Sequence, residues 1–183
     1  MNVAAPFLGE STYWYLARGS GIISLSLFTI AVSLGLLTAG RISTTRWPRF
    51  VTESLHRNVS MASVVFLIVH IVTILMDDFV TIGLLEAVVP FVGTYSPFYL
   101  GLGALAFDVI IMLVVTGLLR TRMSFKVWRL IHWMAYIGWP VAVVHTIGIG
   151  TDQAWALITV GVGVTLVLAC GGYRVASVRR RSL

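Results

Sequence analysis

Charge is scarce in this sequence. Only 11% of its 183 residues are Asp, Glu, Lys or Arg, against about 25% in an ordinary soluble domain. So few ionic groups cannot cover a water-facing surface, which excludes a soluble globule. Cysteine occurs once, at Cys170. A lone cysteine makes neither an intramolecular disulfide nor a metal cluster, and it reads as a small buried apolar residue. No glycine-rich phosphate loop follows a strand; Gly161-Val162-Gly163 lies inside an apolar run and reads as helix packing. From Met1 to Tyr15 there is no Lys or Arg, so the basic start of a cleavable leader is missing. The first apolar segment is therefore expected to stay in the mature protein.

What the chain does have is apolar length. Hydrophobic residues make up 58% of it and fall in blocks at 22–39, 59–76, 98–119, 130–147 and 154–170. Each block is near the roughly 20 residues that cross a hydrocarbon core as a helix. The expected fold is an all-α membrane protein, one domain over residues 1–183 built as a bundle of five transmembrane helices, with no soluble flavin or nicotinamide domain. The segment Phe79–Pro97 is apolar but broken by Gly83, Glu86, Pro90, Gly93 and Pro97. It reads as a short amphipathic helix lying on, or dipping into, the outer surface.

The charges divide by side. Arg41, Arg46, Arg49 and Arg57 lie between the first two spans, and Arg120, Arg122, Lys126 and Arg129 between the third and fourth. Arg174, Arg179, Arg180 and Arg181 close the chain. Glu10, Asp77, Asp78, Glu86 and Asp152 fall on the opposite side, with Arg18 as the only base there. The positive-inside rule then puts the C-terminus in the cytoplasm and the N-terminus outside a cell membrane. Bases flanking apolar spans are topology signals and lipid contacts, not a nucleic-acid surface.

Histidine occurs four times, at His56, His70, His132 and His145. Two belong to the second span and two to the fourth, 14 and 13 residues apart. At 1.5 Å per residue each pair is separated by roughly 20 Å. Both spans start from a basic loop, so they run in parallel. His56 matches His132 in depth and His70 matches His145. Two facing imidazoles make an axial ligand pair for haem iron, whereas zinc or copper wants three or four converging ligands. With no Cys-x-x-Cys-His, such haem is non-covalent. Fourteen residues keep His56 and His70 on one face, but thirteen leave His132 and His145 roughly 140° apart on a regular helix. The expectation is that Gly138 and Pro140 re-phase that helix.

The runs LHRNVSMASVVFLIVH, ending at His70, and WRLIHWMAYIGWPVAVVH, from Trp128 to His145, resemble the ferric reductase-like transmembrane domain. That family includes ferric reductases, the membrane part of NADPH oxidases and the haem subunit of the methionine sulfoxide reductase system. The resemblance extends over residues 15 to 170. It implies two b-type haems and electrons passing from a cytoplasmic donor to an outer-side acceptor, with ferric iron, oxygen or a periplasmic redox protein all open. It also implies a donor on another molecule, a cytoplasmic flavoprotein or a membrane quinol, so a flavin on a partner or a quinone is the expected accessory cofactor. The chain then reads as the membrane cytochrome subunit of an oxidoreductase. Members usually have six spans against the five counted here. The rival reading is a non-redox transporter or assembly protein whose histidines carry protons or hold helices together.

Further residues carry weaker signals. Arg49, Arg57, Arg120, Lys126 and Arg129 lie where haem carboxylates would reach the cytoplasmic interface, and Arg18 is the candidate for the outer one. Asp108 sits midway along span three, where a charge is costly; it reads either as a proton relay or polar contact to a cofactor, or as a protonated carboxyl bonded to a hydroxyl. Phe66, Trp133, Tyr136 and Trp139 fall between the two haem depths. Trp14, Trp47, Trp128 and Trp155 suit interfacial belts. Gly161, Gly163, Ala169, Gly171 and Gly172 in span five suggest close helix contact.

Overall fold

The computed structural model describes residues 10–39, 48–77, 80, 82–150 and 153–179. Arg41, Arg46, Trp47, Asp78, Asp152, Arg180 and Arg181 lie outside the described residues. Regular structure among the described residues is entirely helical: α1 (Glu10–Ala39), α2 (Arg49–Leu75), α3 (Leu84–Val88), α4 (Pro97–Leu118), a 3₁₀ turn at Arg120–Arg122, α5 (Phe125–His132), α6 (Ala135–Ile149) and α7 (Gln153–Arg179). Five segments are long and apolar enough to cross a membrane: Thr12–Ala39, Arg49–Leu75, Pro97–Leu118, Phe125–Ile149 and Ala154–Arg179. They extend past the apolar blocks because arginines and aromatic residues add a turn or more at their ends. The fourth crossing is α5 and α6 in series.

The helices associate as two couples. α2 lies along α1, and α6 lies along α4, while α7 closes the far side of α1. The α1–α2 couple is drawn close by a reciprocal clasp. Ser24 Oγ donates to the Ser63 carbonyl at 3.0 Å, and Ser63 Oγ donates to the Ser24 carbonyl at 3.0 Å. Small residues at such a crossing let two backbones approach, which is how helices associate where lipid removes the hydrophobic drive between them.

The middle of the bundle is filled. Phe28, Val32, Leu36, Ile110 and Cys170 form a buried cluster, with Val64 and Leu67 of α2 and Ala135 and Trp139 of α6 packed on it. Cys170 is a buried free thiol in this core, as its composition suggested. Trp139 is pinned there, its Nε1–H donating to Thr29 Oγ1 at 2.9 Å. Of the small residues of α7, Gly163 lies against this same threonine, where an added Cβ would be 3.3 Å away. Gly161, Gly171 and Gly172 have open space instead, and Ala169 is exposed. Span five therefore contacts α1 through Gly163 and Cys170 rather than along a continuous small-residue stripe.

The broken segment carries the short helix expected of it, α3, five residues long and lying on α4. Phe91 beside it takes a left-handed φ of 67° and its ring fills the notch at Gly101. The re-phasing of the fourth crossing is not centred on Gly138–Pro140 but one turn earlier. Met134, Tyr136 and Ile137 N–H groups bond three residues back, to Ile131, Trp133 and Met134. Pro140 has no N–H for the carbonyl of Tyr136 and its ring presses on that carbonyl, so its effect falls on the preceding turn. Each 3₁₀-type residue adds roughly 20° of rotation over an α-helical one, in the sense that reduces the offset between His132 and His145.

Thr29→Val keeps the shape of the core but strips Trp139 of its acceptor. It is expected to cost about 1–3 kcal/mol, a fall of several degrees in the thermal unfolding midpoint in detergent, while Thr29→Ser stays near wild type.

Candidate functional site

At the arginine-rich end, His56 and His132 face each other with ring centroids 6.1 Å apart and planes at 75°. At the other end His70 and His145 line one cavity of about 260 Å³, together with Trp14, Arg18, Asp77 and Tyr95. The depth-matched pairs expected from the spacing are thus the pairs the fold brings together. Neither pair is made by helices packed on each other, since α2 leans on α1 and α6 on α4.

Three of the four imidazoles are anchored in the same way. Nδ1 of His70 is 2.6 Å from the carbonyl of Ala17, Nδ1 of His56 is 2.9 Å from that of Ala31, and Nδ1 of His145 is 2.7 Å from that of Tyr99. A carbonyl oxygen only accepts, so Nδ1 carries the proton in each case and donates it. In the neutral ring this leaves the Nε2 lone pair for a metal. Metal-binding histidines commonly donate their other N–H in this manner, which fixes the tautomer and raises ligand basicity. His132 is held differently: its ring stacks on Trp128, centroids 4.9 Å apart and planes at 16°.

The anchoring needs backbone-to-ring proximity, and glycine supplies it. A Cβ on Gly21 would come within 2.9 Å of His70 Nδ1, and one on Gly103 within 2.6 Å of His145 Nδ1. Gly35 lies beside His56 with more room, 3.7 Å from its Cε1. Gly21 and Gly35 are 14 residues apart, as are Ala17 and Ala31, and as are His56 and His70. α1 thus repeats one cradle, Ala-x-x-x-Gly, at each depth. The repeat was visible in the sequence as an interval matching that of the histidines, whereas the carbonyl acceptors have no side-chain signature.

The remaining candidates separate. Arg18 is half-buried in the wall of the outer cavity with its guanidinium 4.3 Å from the Trp14 ring centroid. Arg49 lies 3.8 Å from Glu53, both side chains well exposed. Arg57 is exposed, and Arg129 reaches across Phe125 and Trp133. Arg120 instead lies over Trp128, 4.6 Å from its ring centroid, beside His132. Trp128 is therefore part of the histidine site rather than only an interfacial anchor. Trp133 and Tyr136 are exposed and do not fill the middle layer; Trp139 does, joined by Phe28, which the sequence reading passed over. Asp108 is half-buried on α4, does not line the outer cavity, and has no hydrogen-bond or ion-pair partner among the described residues.

The described helices form a membrane bundle in which two couples of histidines meet, one towards each end. The chain belongs to the family of ferric reductase like transmembrane components, whose model matches residues 20–143. The match includes His56, His70 and His132 and ends two residues before His145. No curated protein and no solved structure matches the chain. The family is generally haem-binding, and the residues present fit that group. Two imidazoles bound through Nε2 to opposite sides of one metal, about 2 Å from it, have centroids about 6 Å apart, as His56 and His132 do. No group of three or more His, Cys, Asp or Glu among the described residues would hold a bare metal ion.

Gly21→Ala and Gly103→Ala push a methyl against the imidazole each glycine clears. Both are expected to lower bound chromophore per chain by removing the outer ligand geometry, while Gly35→Ala stays near wild type. Absorbance of the purified variants at equal protein concentration reads the difference.

Proposed function

We propose that this chain is a di-haem b-type cytochrome that carries electrons across the membrane, holding one haem between His56 and His132 and the other between His70 and His145. The observation that supports it most is the pair of imidazoles at each of two depths, three of the four with Nδ1 bonded to a helix carbonyl and Nε2 directed elsewhere. Haem held by these histidines would supply one-electron redox chemistry at its iron.

The chain's own residues do the rest. The Ala17, Ala31 and Tyr99 carbonyls hold three rings in one tautomer and orientation. Phe28, Ile110, Leu67 and Trp139 separate the two sites with an apolar layer that excludes water. Arg18 would pair with a carboxylate of the outer haem, its place in the cavity wall supporting it more directly than position supports Arg49, Arg57 or Arg129 at the inner one. The arginine-rich end faces the cytoplasm, so the N-terminus lies outside and the C-terminus inside a cell membrane. Electrons enter from a cytoplasmic flavoprotein or a membrane quinol and leave to an acceptor docked on the outer side. The chain thereby acts as the membrane subunit of a reductase.

Haem per polypeptide, with reduced-minus-oxidised spectra, tests this on wild type and the four His→Ala variants. Two b-type low-spin haems are expected, with His56→Ala and His132→Ala losing one and His70→Ala and His145→Ala losing the other. Absence of haem, or content indifferent to all four substitutions, would return the histidines to proton-carrying or structural roles in a non-redox membrane protein.

A further inference from the structure

We propose that Trp128 and Arg120 form a carboxylate-binding site at the arginine-rich end, and that the carboxylate is one borne by the haem between His56 and His132. The proposal rests on that haem assignment and adds to it the residues that seat the haem's acidic edge. Its starting point is an orphan: Trp128 Nε1 is buried and has no hydrogen-bond partner among the described residues. A buried N–H left unmatched costs about 1–3 kcal/mol, and native proteins rarely leave one so.

The surroundings of that N–H define what would match it. The Trp128 ring is enclosed in a column, with His132 at 4.9 Å, Phe125 at 5.8 Å and the Arg120 guanidinium at 4.6 Å from its centroid. Indole N–H and guanidinium are donors with no acceptor capacity. Two donors, one of them cationic, select an anionic oxygen. Among the described acidic residues only Glu53 belongs to this side, and it lies 3.8 Å from Arg49. A bound group supplies the anionic acceptor that the described side chains do not. Haem carries two carboxylates on the rim of its ring, and a side chain stacked on the ligating imidazole is among the first that rim meets.

A parallel arrangement stands at the other end. There the Arg18 guanidinium lies 4.3 Å from the Trp14 ring centroid, and both residues wall the cavity that holds His70 and His145. An arginine laid on a tryptophan thus accompanies each histidine pair. At the inner site the tryptophan has a second task. His132 has Trp128 against its face where the other three histidines have a carbonyl at Nδ1, so Trp128 is its positioning residue.

The test uses the purified full-length chain with bound haem and follows haem transfer to an excess of apo-globin. His132→Ala identifies which of the two transfer phases belongs to the inner site. Trp128→Phe, which keeps the stacked ring and removes the N–H, and Arg120→Gln are each expected to speed that phase roughly tenfold or more, as befits a lost bond to a charged acceptor, and to leave the other phase unchanged. Chain loaded with haem dimethyl ester, whose carboxylates are blocked, is expected to show the fast inner phase already in wild type and no further change in Trp128→Phe. An unchanged inner phase in both variants, or an equal acceleration by Trp128→Phe with the ester, would overturn the carboxylate site. A chain in which His132→Ala removes no haem would instead overturn the haem assignment on which the site depends.

Discussion

An imidazole placed inside a membrane helix has two nitrogens to satisfy and no water to satisfy them with. If one nitrogen is to serve a metal, the other needs an acceptor fixed in space, and the nearest acceptors are the carbonyls of a neighbouring helix. A carbonyl has a second lone pair beyond its helical bond, so it can take an imidazole N–H if the ring comes close enough. Much of this bundle follows from that demand. Gly21, Gly35 and Gly103 lie where a ring must approach a backbone. The Ser24–Ser63 clasp brings α1 and α2 to the short separation the bonds require. The bonds in turn fix the tautomer and raise the basicity of the Nε2 left free. Each is a modest contribution to stability, about 0.5–1.5 kcal/mol, and a large one to geometry.

The second consequence is where the helices do not pack. α2 is supported by α1 and α6 by α4, so the faces bearing histidines are left opposite each other rather than interlocked. Between the two histidine depths the same faces converge on Phe28, Ile110 and Trp139. The cavity between His70 and His145 thus ends on an apolar layer that includes Phe28, Leu67 and Ile110, and His56 and His132 meet beyond it. Asp108, the one acid of the described spans that sits mid-membrane, stands outside the cavity between the outer histidines.

The five spans and the meeting of the histidines in two couples were legible in the sequence because both rest on strong, one-dimensional signals. Five apolar runs carry the first, and the intervals His56–His70 and His132–His145 carry the second. What could not be read was everything made by backbone: the Ala17, Ala31 and Tyr99 acceptors, and the tightened turn at Trp133–Ile137 that re-phases the fourth crossing. The proline was visible, but its steric reach one turn upstream placed the distortion ahead of Gly138. Aromatic residues were the hardest to assign. Trp133 and Tyr136 face outward while Trp139, Phe28 and Trp128 face in, and their positions in the sequence do not separate the two groups. The cradle glycines were within reach, since Gly21 and Gly35 repeat the histidine interval, but that match means nothing until α1 is known to lie against α2.

Electron passage across a sealed membrane tests the account most directly. Purified chain would be reconstituted into vesicles with ferricyanide trapped inside and a membrane-impermeant reductant outside, and internal ferricyanide bleaching followed with time. Wild type is expected to bleach it, and the loss of either pair, through His132→Ala or through His70→Ala, is expected to stop the transfer in vesicles that remain sealed. Bleaching that persists at the wild-type rate without one of the pairs would contradict a two-site path across the bilayer.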